Sequence, residues 1–263
     1  MICLRFFIFS LLAILLGSPL ARAAEVPAIA AAADLKFALV EVSARFLAET
    51  GQQVRISFGS SGTFMTQIEQ GAPFEMFLSA DEDFVFRLAE RGLTADRGAL
   101  YAIGQIVLFA PRGSSLAVDE ELRGIKSALA AGSLRRFAIA NPEHAPYGRA
   151  ARAALQNAGL WSELAPRLVF GENAAQAMQF AASGSAEGGI VPLSLVKAPE
   201  LAGLGDFAII PQKWHAAEPL RQRMVLLKGA GPVSRDFYRY LQTPAVREIL
   251  ARYGFVAPKG VGD

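Results

Sequence analysis

The chain has 263 residues, 52% of them hydrophobic and 19% charged, with 24 glycines and 14 prolines, a composition that can build a buried core and excludes disordered, collagenous and coiled-coil chains. Its 26 Lys and Arg against 24 Asp and Glu give a formal charge of +2, but Arg5 and Arg22 lie in an N-terminal segment without acids, so the remainder balances at 24 against 24. Without a bulk field, nucleic acid and anionic membranes are not expected as partners, and any charged ligand has to be recognised by local groups.

Residues 1–23 combine Arg5, an apolar run from Phe6 to Leu16 and the small-residue ending Ala21-Arg22-Ala23, the pattern of a secretory signal peptide. The run covers about half of a bilayer's hydrocarbon at ~1.5 Å per residue, too little for a span. Cleavage after Ala23 predicts a periplasmic protein and removes Cys3, the single cysteine. The mature chain then has neither a disulfide nor a thiolate for catalysis or metal binding.

Apolar periodicity predicts the elements that follow. Strand Ile29–Ala33 leads to helix Leu35–Leu47, strand Val54–Phe58 to helix Phe64–Gln70, and strand Met76–Leu78 to helix Phe84–Arg91, before a strand Ile103–Phe109 closed by Pro111. The pattern restarts with helix Glu120–Ala131, strand Phe137–Ala140, helix Arg149–Ala158, strand Leu168–Phe170, helix Ala174–Ala182 and strand Gly189–Val191. Strands Phe207–Ile210 and Met224–Leu227 precede two closing helices, Arg235–Leu241 and Ala245–Arg252, the second announced by Thr243-Pro244, a cap followed by the favoured first-turn proline. Such alternation predicts an α/β fold in two lobes, each a mostly parallel sheet flanked by helices, with the ligand in the cleft between them. Residues 24–103 and 217–263 are assigned to lobe 1 and 104–216 to lobe 2. No internal repeat is visible in the sequence.

Four junctions share one plan, in which a strand ends, small or polar residues follow and a helix begins. They are Ala33-Asp34, Gly59-Ser60-Ser61-Gly62-Thr63, Pro146-Tyr147-Gly148 and Gly171-Glu172-Asn173-Ala174, two in each proposed lobe. A helix start leaves backbone N–H groups unpaired and carries partial positive charge, so starts converging across a cleft make an anion site. The Gly59–Thr63 loop is also readable as a plain helix cap, or as a serine nucleophile served by His144 or His215. A metal site is not expected, because His144 and His215 are far apart in the chain and carry no ligand at helical spacing. No P-loop is present, and no cofactor is expected.

Several stretches together carry a family resemblance. Ala31-Ala32-Ala33-Asp34-Leu35, Ser57-Phe58-Gly59-Ser60-Ser61-Gly62-Thr63, Gln67-Ile68-Glu69-Gln70-Gly71-Ala72-Pro73, Phe77-Leu78-Ser79-Ala80-Asp81, Asn141-Pro142-Glu143-His144-Ala145-Pro146-Tyr147-Gly148 and Arg252-Tyr253-Gly254-Phe255 resemble the periplasmic molybdate-binding proteins of ABC transporters. The resemblance implies a type II periplasmic-binding-protein fold that captures molybdate, and tungstate with it, through amides and hydroxyls. It also implies a monomer that is not an enzyme and delivers its ligand to an inner-membrane ABC permease. The implied ligand-binding residues are Ala33, Asp34, Ser60, Ser61, Tyr147 and Ala174. Of these Ser61, Tyr147 and Ala174 contact the oxo groups of molybdate and do not ligate the metal.

Two positions depart from the family pattern: Asp34 or Ala33 stands where a serine is frequent, and Pro192 where some members have a tyrosine. Tyr147 is expected to compensate with its own hydroxyl. A carboxylate beside a dianion is repulsive by several kcal/mol at an effective dielectric of ~20. Asp34 is therefore expected either to cap its helix and offer only its amide, or to accept a proton from a ligand such as hydrogen phosphate. Sulfate or phosphate binding, a secreted serine hydrolase and a sensor or scaffold on the same fold are the competing readings.

Overall fold

The computed structural model describes residues 26–258, so the segment read as a signal peptide lies outside the described residues. In chain order the strands and helices are β1 (Ala28–Ala32), α1 (Lys36–Thr50), β2 (Arg55–Gly59), α2 (Ser61–Glu69), β3 (Met76–Ser79), α3 (Glu82–Glu90), β4 (Ala99–Ile103) and β5 (Ile106–Pro111). There follow α4 (Arg123–Ala130), β6 (Phe137–Ala140), α5 (Pro146–Asn157), the short α6 (Trp161–Leu164), β7 (Leu168–Gly171), α7 (Ala174–Ala182), β8 (Gly188–Pro192) and the short α8 (Leu193–Val196). Strands β9 (Gly205–Ile209) and β10 (Arg221–Leu226) and helices α9 (Pro232–Tyr240) and α10 (Pro244–Arg252) complete the fold.

Two five-stranded sheets result, ordered β2-β1-β3-β10-β4 and β7-β6-β8-β5-β9. They are mixed, with four of the five strands in each running the same way, as the expectation of mostly parallel sheets has it. In each, a parallel trio is followed by two antiparallel pairings, through β10 in the first and β5 in the second. The reason is connectivity: β5 and β10 are the strands that enter each sheet from the other one, and a strand that arrives without a helical crossover runs antiparallel. The same crossing divides the apolar run expected as one strand, Ile103–Phe109. Gly104 and Gln105 interrupt it, so Ile103 ends a strand of the first sheet and Ile106 begins one of the second. The expected helix Glu120–Ala131 starts later, at Arg123, because the Asp119 carboxylate accepts the amides of Glu121, Arg123 and Gly124 and holds the preceding turn apart.

Small residues let the layers approach. In β1 the alternation puts Ile29 and Ala31 on the face covered by α1, with its buried Leu35-side stripe Ala38, Leu39, Val42 and Phe46, while Ala30 faces Phe64 and Phe77 on the other side. The left-handed Gly51, at φ 69°, closes α1. The closing helices pack back on α1, where the Phe46 ring lies 5.1 Å from that of Phe237 and 5.2 Å from that of Tyr240. Thr243 caps α10 by accepting the Val246 amide, with Pro244 in the first turn as expected.

Candidate anion-binding site

All four junctions open onto one small pocket, placed where the two sheets' strand ends face each other. Ala33 and Asp34 reach it from the turn between β1 and α1, Ser60 and Ser61 from the start of α2, Tyr147 from the first turn of α5, and Ala174 from the start of α7. Ala32, Gly59, Ala80, Ala145 and Pro146 complete the lining, which contains no Lys, Arg or His. The first-turn amides of Ser61, Tyr147 and Ala174 have no acceptor inside their own helices. At α7 the Asn173 side chain takes the Gln176 amide, and Ala174 lines the pocket.

The hydroxyls divide. Ser61 is 1% exposed, and its Oγ accepts the Ala80 amide at 3.0 Å, so its proton is available to an acceptor in the cavity. Ser60 occupies the capping position of α2 without capping it. Its hydroxyl donates instead to the His144 main-chain carbonyl of the facing lobe, which also accepts the Gly62 amide at 3.0 Å. Ser60 thus meets the carbonyl of His144 and not its imidazole, whose Nε2 lies 3.5 Å from Glu172. A side chain at residue 62 would place its Cβ 2.7 Å from the same carbonyl, which explains the glycine there. Arg149 of α5 adds a further bond between lobes, to Asp81, while its Nε binds Glu218 at 2.9 Å.

Asp34 departs from both expectations. Its carboxylate caps no helix. Instead Oδ2 accepts the Tyr147 hydroxyl at 2.9 Å and the Gln222 amide nitrogen at 2.6 Å, and the Gln222 oxygen accepts the Tyr101 hydroxyl at 2.8 Å. The expectation that the Tyr147 hydroxyl serves a ligand is corrected accordingly, because that proton is committed to Asp34. Oδ1 is buried and has no partner. Burial pushes the carboxyl up from 3.8 to about 6, against the opposing bonds from Gln222, Tyr147 and its own amide, and burial together with the Asp34 charge raises Tyr147. Ser194 of α8 anchors the same residue by donating to its carbonyl oxygen at 2.8 Å.

Gln222, Tyr101 and Ser194 were not identified from the sequence. One signal for Gln222 was available: in Arg221-Gln222-Arg223 strand alternation turns the glutamine inward when the arginines face out, and Gln222 is fully buried.

A molecule with two lobes, each presenting two helix starts to one pocket between them, has the architecture of a binding protein for a small anion. The sequence profile of the bacterial extracellular solute-binding proteins matches residues 28–256. The chain is 38% identical to molybdate-binding protein ModA of Rhodobacter capsulatus, over 93% of this chain and 94% of that one. It is 37% identical to ModA of Azotobacter vinelandii (95% and 98% covered) and 33% to ModA of Escherichia coli K12 (86% of each). The solved periplasmic molybdate-binding protein of Azotobacter vinelandii superposes with a TM-score of 0.80 at 30% identity, covering 89% of this chain and all of that one. The sulfate-binding protein SubI of Mycobacterium tuberculosis H37Rv shares the fold, with a TM-score of 0.69 at 16% identity. The chain belongs to the bacterial extracellular solute-binding proteins and, within them, to the ModA molybdate-binding family.

Proposed function

We propose that this protein is a periplasmic receptor that captures molybdate, and tungstate with it, between its lobes and hands it to an ABC permease in the inner membrane, without catalysing a reaction. The observation that carries the reading is the cavity: four helix starts from two lobes and the Ser61 hydroxyl converge on it, and no cation lines it. Molybdate and tungstate near neutral pH are acceptors only, so a wall of donors suits them. Hydrogen bonds to a charged partner contribute about 1.5–3 kcal/mol each. Several of them reach the ~8 kcal/mol of micromolar binding even after the entropy of association is subtracted. Amides of Ala33, Tyr147 and Ala174 and the hydroxyl of Ser61 are the proposed ligand contacts, with Asp34 beside them. Ser60 supports them by joining the lobes. Because the contacts come from both lobes, the ligand favours the closed state.

The test is calorimetry and thermal shift with molybdate, tungstate, sulfate, phosphate and chromate. Micromolar or tighter binding of molybdate and tungstate is expected, with no turnover. Phosphate as the preferred ligand would overturn the reading.

A further inference from the structure

Asp34 is a lone carboxyl in a site made for dianions, and the geometry says which of its oxygens is free. Oδ2 already accepts two donors, Tyr147 and Gln222. Oδ1 accepts none and is buried, on a residue that lines the cavity. If the group were ionised in the closed site, one of its oxygens would be a buried anionic acceptor with no donor from another residue, beside a doubly charged ligand. As the neutral acid it has one consistent arrangement: Oδ2 remains the acceptor of the two existing bonds and the proton sits on Oδ1, which becomes one more donor. Resting on the proposed oxyanion-binding function, we infer that Asp34 holds the bound dianion as a carboxylic acid, with its Oδ1 proton directed at the ligand, so that each dianion captured takes one proton from solvent.

The surroundings agree. The groups facing the carboxyl are Tyr147 from α5, Gln222 from β10 and Tyr101 from β4, none of them cationic, and Ser194 from α8 binds only the main-chain carbonyl. Lys36, next in the chain but one, is exposed, with its ammonium 5.6 Å from the Phe37 ring centroid. Burial, net of the opposing hydrogen bonds, lifts the carboxyl to about 6 before any dianion arrives, and a dianion lifts it further. The arrangement also sets specificity. A protonated oxyanion such as hydrogen phosphate brings a hydroxyl that needs an acceptor, and the neutral acid has none to spare.

The experiment is titration calorimetry of the protein with molybdate at pH 7.5 in buffers of different ionisation enthalpy, repeated from pH 7 to 9. Close to one proton taken up per molybdate is expected, with affinity falling about tenfold per pH unit. Asp34→Asn keeps the acceptor toward Tyr147 and Gln222 and offers a permanent donor in place of Oδ1–H, so it is expected to bind molybdate with no uptake and a flat pH profile. Tight molybdate binding by the unaltered protein without proton uptake would overturn the inference and leave the proposed function standing. Uptake that persists in Asp34→Asn would overturn it as well, by placing the proton elsewhere. Failure of the unaltered protein to bind molybdate or tungstate would overturn the proposed function itself.

Discussion

The two lobes build the same sheet and furnish it differently. Each has a parallel trio whose earliest strand in the sequence lies in the middle, β1 between β2 and β3 and β6 between β8 and β7, followed by the strand that comes from the other lobe. The two junctions of one lobe therefore have counterparts in the other. Asp34 after β1 faces Tyr147 after β6 across a 2.9 Å hydrogen bond, and Ser61 after β2 corresponds to Ala174 after β7. Lobe 1 brings polar side chains to the cavity, Asp34, Ser60 and Ser61. Lobe 2 brings Ala145, Pro146, Tyr147 and Ala174, and the one polar group among them is spent on Asp34. A repeated topology thus gives two equivalent sets of helix starts, and the two lobes dress them differently, one with polar side chains and the other with small and apolar ones beside a single tyrosine.

That asymmetry can be broken in graded steps. Gly62→Val puts side-chain atoms against the His144 carbonyl that joins the lobes. A loss of molybdate affinity of about 100-fold or more, roughly 3 kcal/mol, is expected by calorimetry, with the far-ultraviolet dichroism unchanged. Asp34→Asn acts on stability as well as on binding. A carboxyl raised from 3.8 to about 6 on folding makes its full contribution below pH ~4 and loses it as pH climbs through 6. The neutral variant is spared this loss, so its melting temperature should exceed that of the unaltered protein at pH 8, by the equivalent of about 2–3 kcal/mol, and the advantage should vanish toward pH 4.

Ser61→Ala removes the proposed donor to the ligand and the acceptor of the buried Ala80 amide. Molybdate binding weakened by about 1–3 kcal/mol is expected, and an unchanged dissociation constant would take the hydroxyl out of the site. The smallest effect belongs to lobe 2, where His144 matters through its carbonyl. His144→Ala keeps that carbonyl and discards a ring paired with the exposed Glu172, so affinity should change by no more than about 0.5 kcal/mol. A large loss there would show that lobe 2 also works through side chains.

Much of this was legible in the chain. Strand Phe137–Ala140 and helix Ala174–Ala182 coincide with the structure, because each is an uninterrupted apolar pattern with clear stops. The four strand-to-helix junctions were visible as small and polar residues at the change of period, and all six candidate residues line the one cavity. The run at Ile103–Phe109 misled, since local periodicity registers an apolar stretch and is blind to the sheet in which each half pairs. Ser60 and Tyr147 were recognised as donors, but their acceptors, the His144 carbonyl and Asp34, lie 84 and 113 residues away in sequence.

By itself the amino-acid order determined most of the strand-helix alternation, the absence of a net field after residue 23, and the four helix starts whose unpaired amides make an anion site possible; these follow from near-neighbour spacing and counting. Only the tertiary structure decided that the sheets are mixed, that Ser60 joins the lobes, and that Asp34 shares Oδ2 with Tyr147 and Gln222 while Oδ1 stays free. Those outcomes depend on which distant groups meet once the chain has crossed twice between lobes, and a hydrogen-bond donor's role is set by the acceptor it reaches in space.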